Sequence, residues 1–166
     1  LDTDPETTKI REAYKKHIVR MFQLIGFSKN AATKKMKNIM RLETELSKGS
    51  RSRTELRDPQ RNYNKTTLQE FEANYPNIHL EKLMNASGLE SKYAQELIVG
   101  QPEFMAGLNT LLVRMTATEY RDYMEWGIIS SAAGYLNDEV RAANFDFFGK
   151  VMSGRKEDHP LWRRAT

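Results

Sequence analysis

Apolar residues recur at spacings of three and four positions through most of the chain, and this periodicity restricts the fold to packed amphipathic helices. The first helix is predicted to begin at Asp4, a capping carboxylate, followed by Pro5 at the first helical position. Further helix starts are predicted at Ser28, Thr66 or Thr67, about Ile78, Pro102, Thr116 or Thr118, and Asn137 or Asp138. The sequence therefore predicts an all-α, multi-helix, bundle-like lobe that occupies residues 1–166 as a single helical region.

The core is expected to centre on the last three predicted helices, which begin at Pro102, near Thr116 and near Asn137. These helices carry most of the aromatic side chains, and such side chains bury the largest apolar areas. The last of them is predicted to run as one helix to Gly154.

Arg57–Leu68 is the one stretch that departs from the helical pattern, and the rest of the chain is expected to be organised around it. Pro59 lacks a backbone donor and disfavours helix at Asp58, while the Asn and Thr side chains that follow close turns or cap helices. Thr66 and Thr67 are each followed three residues later by Gln or Glu, which makes two overlapping candidate capping boxes. The sequence predicts a defined polar loop here.

The run Glu96-Leu-Ile-Val is the only β-like segment in the chain. No second run of this kind is present to pair with it. We therefore expect at most a token strand.

A net charge of +4 would suit an anionic partner, and the basic residues are most frequent between residues 29 and 61. Acidic residues interrupt that segment at Glu43, Glu45, Glu55 and Asp58, which favours a solvated surface and predicts no nucleic-acid partner. A free-standing helical module that uses residues 29–61 to bind an anionic partner remains the alternative. No apolar run approaches the roughly 20 residues that span a bilayer, so no membrane segment is predicted.

Residue types that carry catalysis are scarce. The chain has no cysteine, which excludes disulfides, thiolate catalysis and Cys-ligated zinc within it. His17, His79 and His159 are far apart in sequence, and each is predicted at the surface or at a helix end. No Gly-rich phosphate loop is present. The sequence predicts no catalytic, cofactor-binding or metal-binding residue. Tyr63, between basic and amide residues, is interpreted as a loop anchor rather than a base-stacking platform.

Several motifs, taken together and in order, carry a family resemblance. They are Leu42-Glu43 with Leu46, Arg57-Asp58-Pro59, Tyr63-Asn64-Lys65 with Thr67-Leu68, Tyr120 with Met124-Glu125-Trp126, and Phe145 to Phe148 with Gly154 and Leu161-Trp162-Arg163-Arg164. The chain resembles the neprilysin and endothelin-converting-enzyme family of zinc metallopeptidases, which includes bacterial oligopeptidases of the PepO type. The resemblance covers almost the whole chain.

The resemblance implies that the chain is part of a larger peptidase, in which a helical lobe faces a zinc-containing catalytic lobe and encloses peptide substrates between them. The family's His-Glu-x-x-His zinc motif has no match here, so the zinc ligands of the parent protein are expected outside this chain. Ala165 stands where vertebrate members have Cys, and the chain has no cysteine, so a bacterial member is expected. The chain itself does not give a compartment, and the resemblance suggests a bacterial, periplasmic or extracytoplasmic one. The candidate structural or chamber-facing residues are Arg57, Asp58, Arg61, Tyr63, Asn64 and Lys65.

Overall fold

The computed structural model describes residues 4–90, 92 and 95–158. The α-helices are α1 Pro5–Leu24, α2 Lys29–Lys48, α3 Leu68–Asn74, α4 Leu80–Ala86, α5 Pro102–Arg114, α6 Ala117–Ala132 and α7 Asp138–Asn144. Short 3-10 turns occupy Glu55–Arg57 and Ala133–Tyr135, and the two strands are β1 Lys65–Thr66 and β2 Leu97–Ile98. The predicted all-α fold is confirmed. The motif residues Leu161–Arg164 and Ala165 lie outside the described residues.

The starts of α1 and α3 follow local capping signals. The Asp4 side chain accepts hydrogen bonds of 2.9 Å from the backbone N–H groups of Glu6 and Thr7, and Pro5 opens α1 as predicted. Of the two candidate capping boxes, the one that forms joins Thr67 and Glu70 at the start of α3. Local residue chemistry is thus sufficient to place these helix starts.

The predicted strand forms, and its partner comes from the polar loop. β2 pairs antiparallel with β1, with Lys65 opposite Ile98 and Thr66 opposite Leu97. The partner strand is two residues long and polar, so it has no apolar alternation by which the sequence could reveal it.

The chain divides into two compact units. The first unit contains residues 1–41 and 117–166, and the second contains residues 42–116. The expectation that residues 1–166 belong to one lobe concerns the parent protein and stays a prediction.

The core of the first unit draws equally on helices from both ends of the sequence. Its buried members are Ile18, Met21, Phe22, Ala32, Ile39, Trp126, Ile129, Ala133, Val140 and Ala143. The expectation that the last three predicted helices form the centre is therefore only partly met. Half of these side chains come from α1 and α2, whereas α5 belongs to the second unit. The number of aromatic residues in each predicted helix was a poor guide to the core. Phe22, the largest of the fully buried side chains, belongs to α1.

A buried ion pair joins α2 to α6 in the first unit. Lys35 Nζ lies 2.6 Å from Asp122 Oδ1 and also contacts Glu125, and Asn38 Nδ2 donates to Asp122 Oδ2 at 2.7 Å. Burial by itself lowers the pKa of Lys35, but its hydrogen bonds to the two carboxylates outweigh that effect and raise the pKa. The lysine therefore stays charged, and the pair fixes the register of the two helices because removing one partner would leave a buried charge.

The last predicted helix changes its winding before it reaches Gly154. α7 continues as a π-helical segment, Phe145–Val151. Within that segment Phe147 is buried and Phe148 packs edge-on against His17, with ring centroids 5.5 Å apart. The wider winding gives both aromatic rings access to the same imidazole.

The prediction that His17 lies at the surface or at a helix end is wrong. The residue is only 4% exposed and sits in the middle of α1, stacked on Phe147 at a centroid distance of 5.0 Å and edge-on to Trp126 at 5.6 Å. It is three residues from Tyr14 on the apolar side of α1, so the periodicity itself carried this signal. His79 does precede a helix, α4, as predicted, and His159 lies outside the described residues.

We expect the stability of the fold to fall in acid through His17. Burial lowers its pKa from 6.5 to about 4, helped by the charge of Arg20 and opposed by a hydrogen bond to the Ala143 backbone. The folded state therefore disfavours protonation, and the loss of stability develops as the pH falls from about 6.5 towards 4.

Between pH 7 and pH 4 the wild-type chain should lose about 3 kcal/mol more free energy of unfolding than His17→Phe, which keeps an aromatic ring against Phe147. Urea unfolding followed by circular dichroism at stepped pH measures this difference. Parallel pH profiles for the two proteins would contradict the assignment.

Candidate functional site

Amide and carboxylate side chains of the polar loop replace regular backbone hydrogen bonding. Asp58 Oδ1 accepts from the backbone N–H groups of Gln60 at 3.0 Å and Arg61 at 3.1 Å, which closes a turn after Pro59. Asn62 Nδ2 donates to the carbonyl oxygens of Leu56 at 2.9 Å and Asp58 at 2.6 Å. The loop is therefore held in one conformation by its own side chains.

Asn64 joins this loop to the end of β2. Its side-chain Nδ2 donates to the carbonyl oxygens of Arg61 at 3.0 Å and Val99 at 2.9 Å. The backbone carbonyl of Asn64 accepts a hydrogen bond from the Val99 N–H at 2.9 Å. The side chain and the backbone of one residue thus extend the pairing of β1 with β2.

Arg51, which the sequence analysis did not select, lies at the centre of the loop. Its side chain is 7% exposed. Nη1 donates to the carbonyl oxygens of Arg61 at 2.7 Å and Gly100 at 2.9 Å and to Asn62 Oδ1 at 3.0 Å. Nη2 donates to both carboxylate oxygens of Glu103, at 3.0 and 2.8 Å. The planar guanidinium therefore binds three parts of the unit at the same time: the polar loop, Gly100 just after β2, and α5.

Gly49 allows the chain to approach α5 closely just before Arg51. A Cβ atom at this position would lie 2.9 Å from the Glu103 carbonyl oxygen and 2.9 Å from the Phe104 Cα. The glycine ends α2 as predicted, but its missing side chain is required by this contact with backbone rather than by a left-handed conformation.

The structure separates the six predicted site residues into two groups. Asp58 and Asn64 are used within the loop, and Arg61 Nη1 pairs with Glu55 Oε1 at 2.9 Å. The other three, Arg57, Tyr63 and Lys65, have exposed side chains. The six do not converge on one point; three hold the loop together and three are presented outward.

One side of the β1–β2 ribbon presents an exposed surface, which we call the ribbon face and define as Tyr63, Lys65, Glu96 and Ile98. Lys65 Nζ lies 2.7 Å from Glu96 Oε1, and that hydrogen bond raises the pKa of the lysine. Lys65 stands opposite Ile98 in the register, and residues two apart on a strand share a side. The face combines an aromatic ring, an aliphatic side chain and a neutralised charge pair, a composition suited to contact rather than to proton transfer.

A concave surface lies in the first unit beside His17. This cleft of about 210 Å³ is lined by Ala13, Lys16, His17, Arg20, Ala143, Asp146, Phe147 and Val151. Arg20 Nη1 lies 2.7 Å from Asp146 Oδ2, and hydrogen bonds from Lys150 and Arg20 lower the pKa of Asp146. The carboxylate of the cleft is thus engaged by two cations of the same unit, and we assign no chemistry to the cleft.

The described residues do not fit a metal site. Across residues 4–90, 92 and 95–158, no group of three or more His, Cys, Asp or Glu side chains could hold a metal ion. Within the same residues, none of the helices is both long and apolar enough to cross a membrane.

We expect Arg51→Ala to destabilise the fold by about 2 kcal/mol, because it removes the donor shared by three oxygen acceptors in the loop and after β2, while Glu103, which is 56% exposed, stays solvated. Arg51→Lys should recover only a part, since an ammonium group cannot match the planar fork. Arg53→Ala, two residues away and exposed, is the matched control and should change stability by no more than about 0.5 kcal/mol. Chemical unfolding measures all three, and equal losses at Arg51 and Arg53 would refute a central role for Arg51.

Comparison with known proteins places these features in a family. The family model of peptidase family M13 matches residues 1–166. The neutral endopeptidase of Lactobacillus helveticus is 26% identical over 153 residues, which are 92% of this chain and 23% of that protein. Neprilysin-2 of Drosophila melanogaster is 26% identical over 157 residues, which are 93% of this chain and 20% of that protein. The chain thus spans a quarter or less of the length of these relatives.

Solved structures show the same fold. The zinc metalloprotease 1 of Mycobacterium tuberculosis in an open state matches with a TM-score of 0.92 and 24% identity, over 98% of this chain and 25% of that one. Its complex with an inhibitor gives the same values. The resemblance inferred from the Tyr63-Asn64-Lys65 and Met124-Glu125-Trp126 motifs is confirmed, and because the family model covers the whole sequence, the chain belongs to peptidase family M13, as part of its N-terminal region.

Proposed function

We propose that the chain is part of the non-catalytic helical lobe of a zinc metalloendopeptidase, where it walls the substrate chamber and limits the size of the substrates that enter. The match of the M13 family model to residues 1–166 carries this proposal. The zinc ligands of the parent protein then lie outside this chain, in the catalytic lobe of the same polypeptide. The partners of the chain are that lobe and the peptide substrates.

The construction of the second unit supports a wall function. A wall that excludes folded proteins has to resist deformation, and the loop is held by Arg51, Asn62 and Asn64 through hydrogen bonds of 2.6–3.0 Å that need no added partner. Exposed side chains on a rigid support lose little conformational freedom when a flexible peptide binds against them. The ribbon face and Arg57 are the parts of the second unit that we assign to the chamber side.

Tyr63→Ala in the full-length enzyme tests this assignment. Removing an exposed aromatic contact worth about 1 kcal/mol should raise the KM for peptide substrates about fivefold, while kcat and the zinc content stay unchanged. Leu83→Ala is the control, since Leu83 is a similarly exposed side chain on α4.

The assay uses a series of unstructured peptides of increasing length together with one folded protein that contains the same cleavage sequence. Cleavage should continue for short peptides and fail for the folded protein. Equal KM values for the wild type and Tyr63→Ala at every length would exclude the ribbon face from the chamber. Efficient cleavage of the folded protein would exclude a size limit.

The alternative, an anion-binding module that uses residues 29–61, has one observation in its favour. The exposed side of α2 carries Lys29, Lys34 and Lys37. Against it, most of the other basic side chains in the segment face carboxylates of the same chain. Those pairs are Lys35 with Asp122, Arg41 with Glu119, Lys48 with Glu45, Arg51 with Glu103 and Arg61 with Glu55. Binding to an oligonucleotide that weakens steeply with salt would favour the alternative.

A further inference from the structure

The exposed side of α6 is apolar. We call this side the outer face of α6, and its members are Ala117, Tyr120, Arg121, Met124, Gly127, Ile128 and Ser131. The large side chains Tyr120, Met124 and Ile128 are 51%, 48% and 65% exposed and follow one another at intervals of four residues. Arg121 is the only charged residue on this face, although the face runs along four turns of helix.

The neighbouring helices of the same unit show the usual arrangement. The exposed positions of α1 include Glu6, Lys9, Glu12, Lys16, Arg20 and Gln23, and those of α2 within this unit are Lys29, Asn30, Lys34, Lys37 and Arg41. Both helices therefore turn charged and polar side chains to solvent, as a surface helix normally does. The outer face of α6 departs from a pattern that its own unit otherwise follows.

The acidic residues of α6 explain how this arrangement arises. Glu119 pairs with Arg41, and Asp122 and Glu125 pair with Lys35, so the carboxylates of α6 point towards α2. These carboxylates of the helix are thus used inside the unit, and apart from Arg121 the outside of the helix carries uncharged side chains.

Gly127 has no packing role within the unit. An added Cβ at this position would meet nothing within 4 Å, and its backbone is not among the left-handed glycines. Glycine in the middle of a helix weakens it relative to alanine, so the fold of this unit gives no reason for it. With Ser131, one turn further on, Gly127 forms a shallow groove beside the ridge made by Tyr120, Met124 and Ile128. A ridge of residues four apart next to a groove is the surface against which a second helix packs.

We propose that the outer face of α6 is the docking surface for a helix supplied by the part of the parent polypeptide that lies outside residues 1–166. The chain spans 20–25% of the length of its relatives, so most of such a polypeptide remains to be packed. The near absence of charge on the face suits an apolar helix of the same polypeptide and disfavours an anionic partner. This inference rests on the family and on the packing of α6, and it is independent of the chamber role.

Accessibility of Ile128 in the native full-length protein tests the proposal. The chain has no cysteine of its own, so Ile128→Cys and the control Gln23→Cys, on the solvated side of α1, can each be followed by mass spectrometry of the corresponding peptide after maleimide labelling. Labelling at position 128 should be at least tenfold slower than at position 23 in the native protein, and the two rates should become equal in urea. Equal rates in the native protein would overturn the proposal. So would protection that disappears on dilution, because that result identifies a second copy as the occupant.

Two further substitutions in the full-length protein give an independent readout. Ile128→Glu should lower the Tm by several degrees, whereas Gln23→Glu, which adds the same charge on a solvated face, should leave it unchanged. Gly127→Ala should also lower the Tm, because the methyl group would occupy the groove. A rise in Tm, as helix propensity alone predicts for alanine, would show that nothing packs there.

Discussion

The polar loop depends on the hydrogen bonds that the guanidinium group of Arg51 donates. Burial of a charged group costs free energy unless hydrogen bonds compensate it. The two terminal nitrogens of Arg51 donate to three oxygen acceptors in the loop and after β2 and to both oxygens of Glu103, whereas its Nε is buried without a partner. The same geometry requires α5 to come close, and Gly49 provides the space. The exposed side chains of the ribbon face are therefore supported by a polar centre rather than by an apolar core.

The first unit uses buried charge in a different way. The side chains of Lys35 and Asp122 are 13% and 5% exposed, and Lys35 Nζ also lies 4.8 Å from the ring centroid of Phe27. A buried pair of this kind adds little net stability compared with apolar packing, but it penalises any shift of one helix along the other. It also orients α6, because the carboxylates can face α2 only if Met124 and Ile128 face away.

The polar loop, the ribbon face and the outer face of α6 all belong to a chain of peptidase family M13. The described residues of this M13 chain contain no cluster of side chains able to hold a metal ion, and they form a loop held by its own hydrogen bonds, an exposed ribbon face and an apolar helix surface. The polar loop that stands out in the sequence is held in its conformation by hydrogen bonds of its own side chains. Three of its six predicted residues maintain the loop, and the other three, Arg57, Tyr63 and Lys65, have exposed side chains.

The sequence by itself determined the all-α class, the family, and those helix ends that depend on neighbouring residues, such as Asp4 with Pro5 and Thr67 with Glu70. The fold class and these helix ends were predictable because capping and periodicity act over a few residues, whereas the family was inferred from the resemblance carried by motifs such as Tyr63-Asn64-Lys65 and Met124-Glu125-Trp126. The tertiary structure alone decided which side chains became buried or paired. Arg51 meets Glu103 across 52 positions, and the stacking partner of His17 lies in a π-helical segment near the other end of the chain. Because such contacts depend on how distant helices pack, no local pattern distinguished Arg51 from Arg53 or identified Phe147 as the stacking partner of His17.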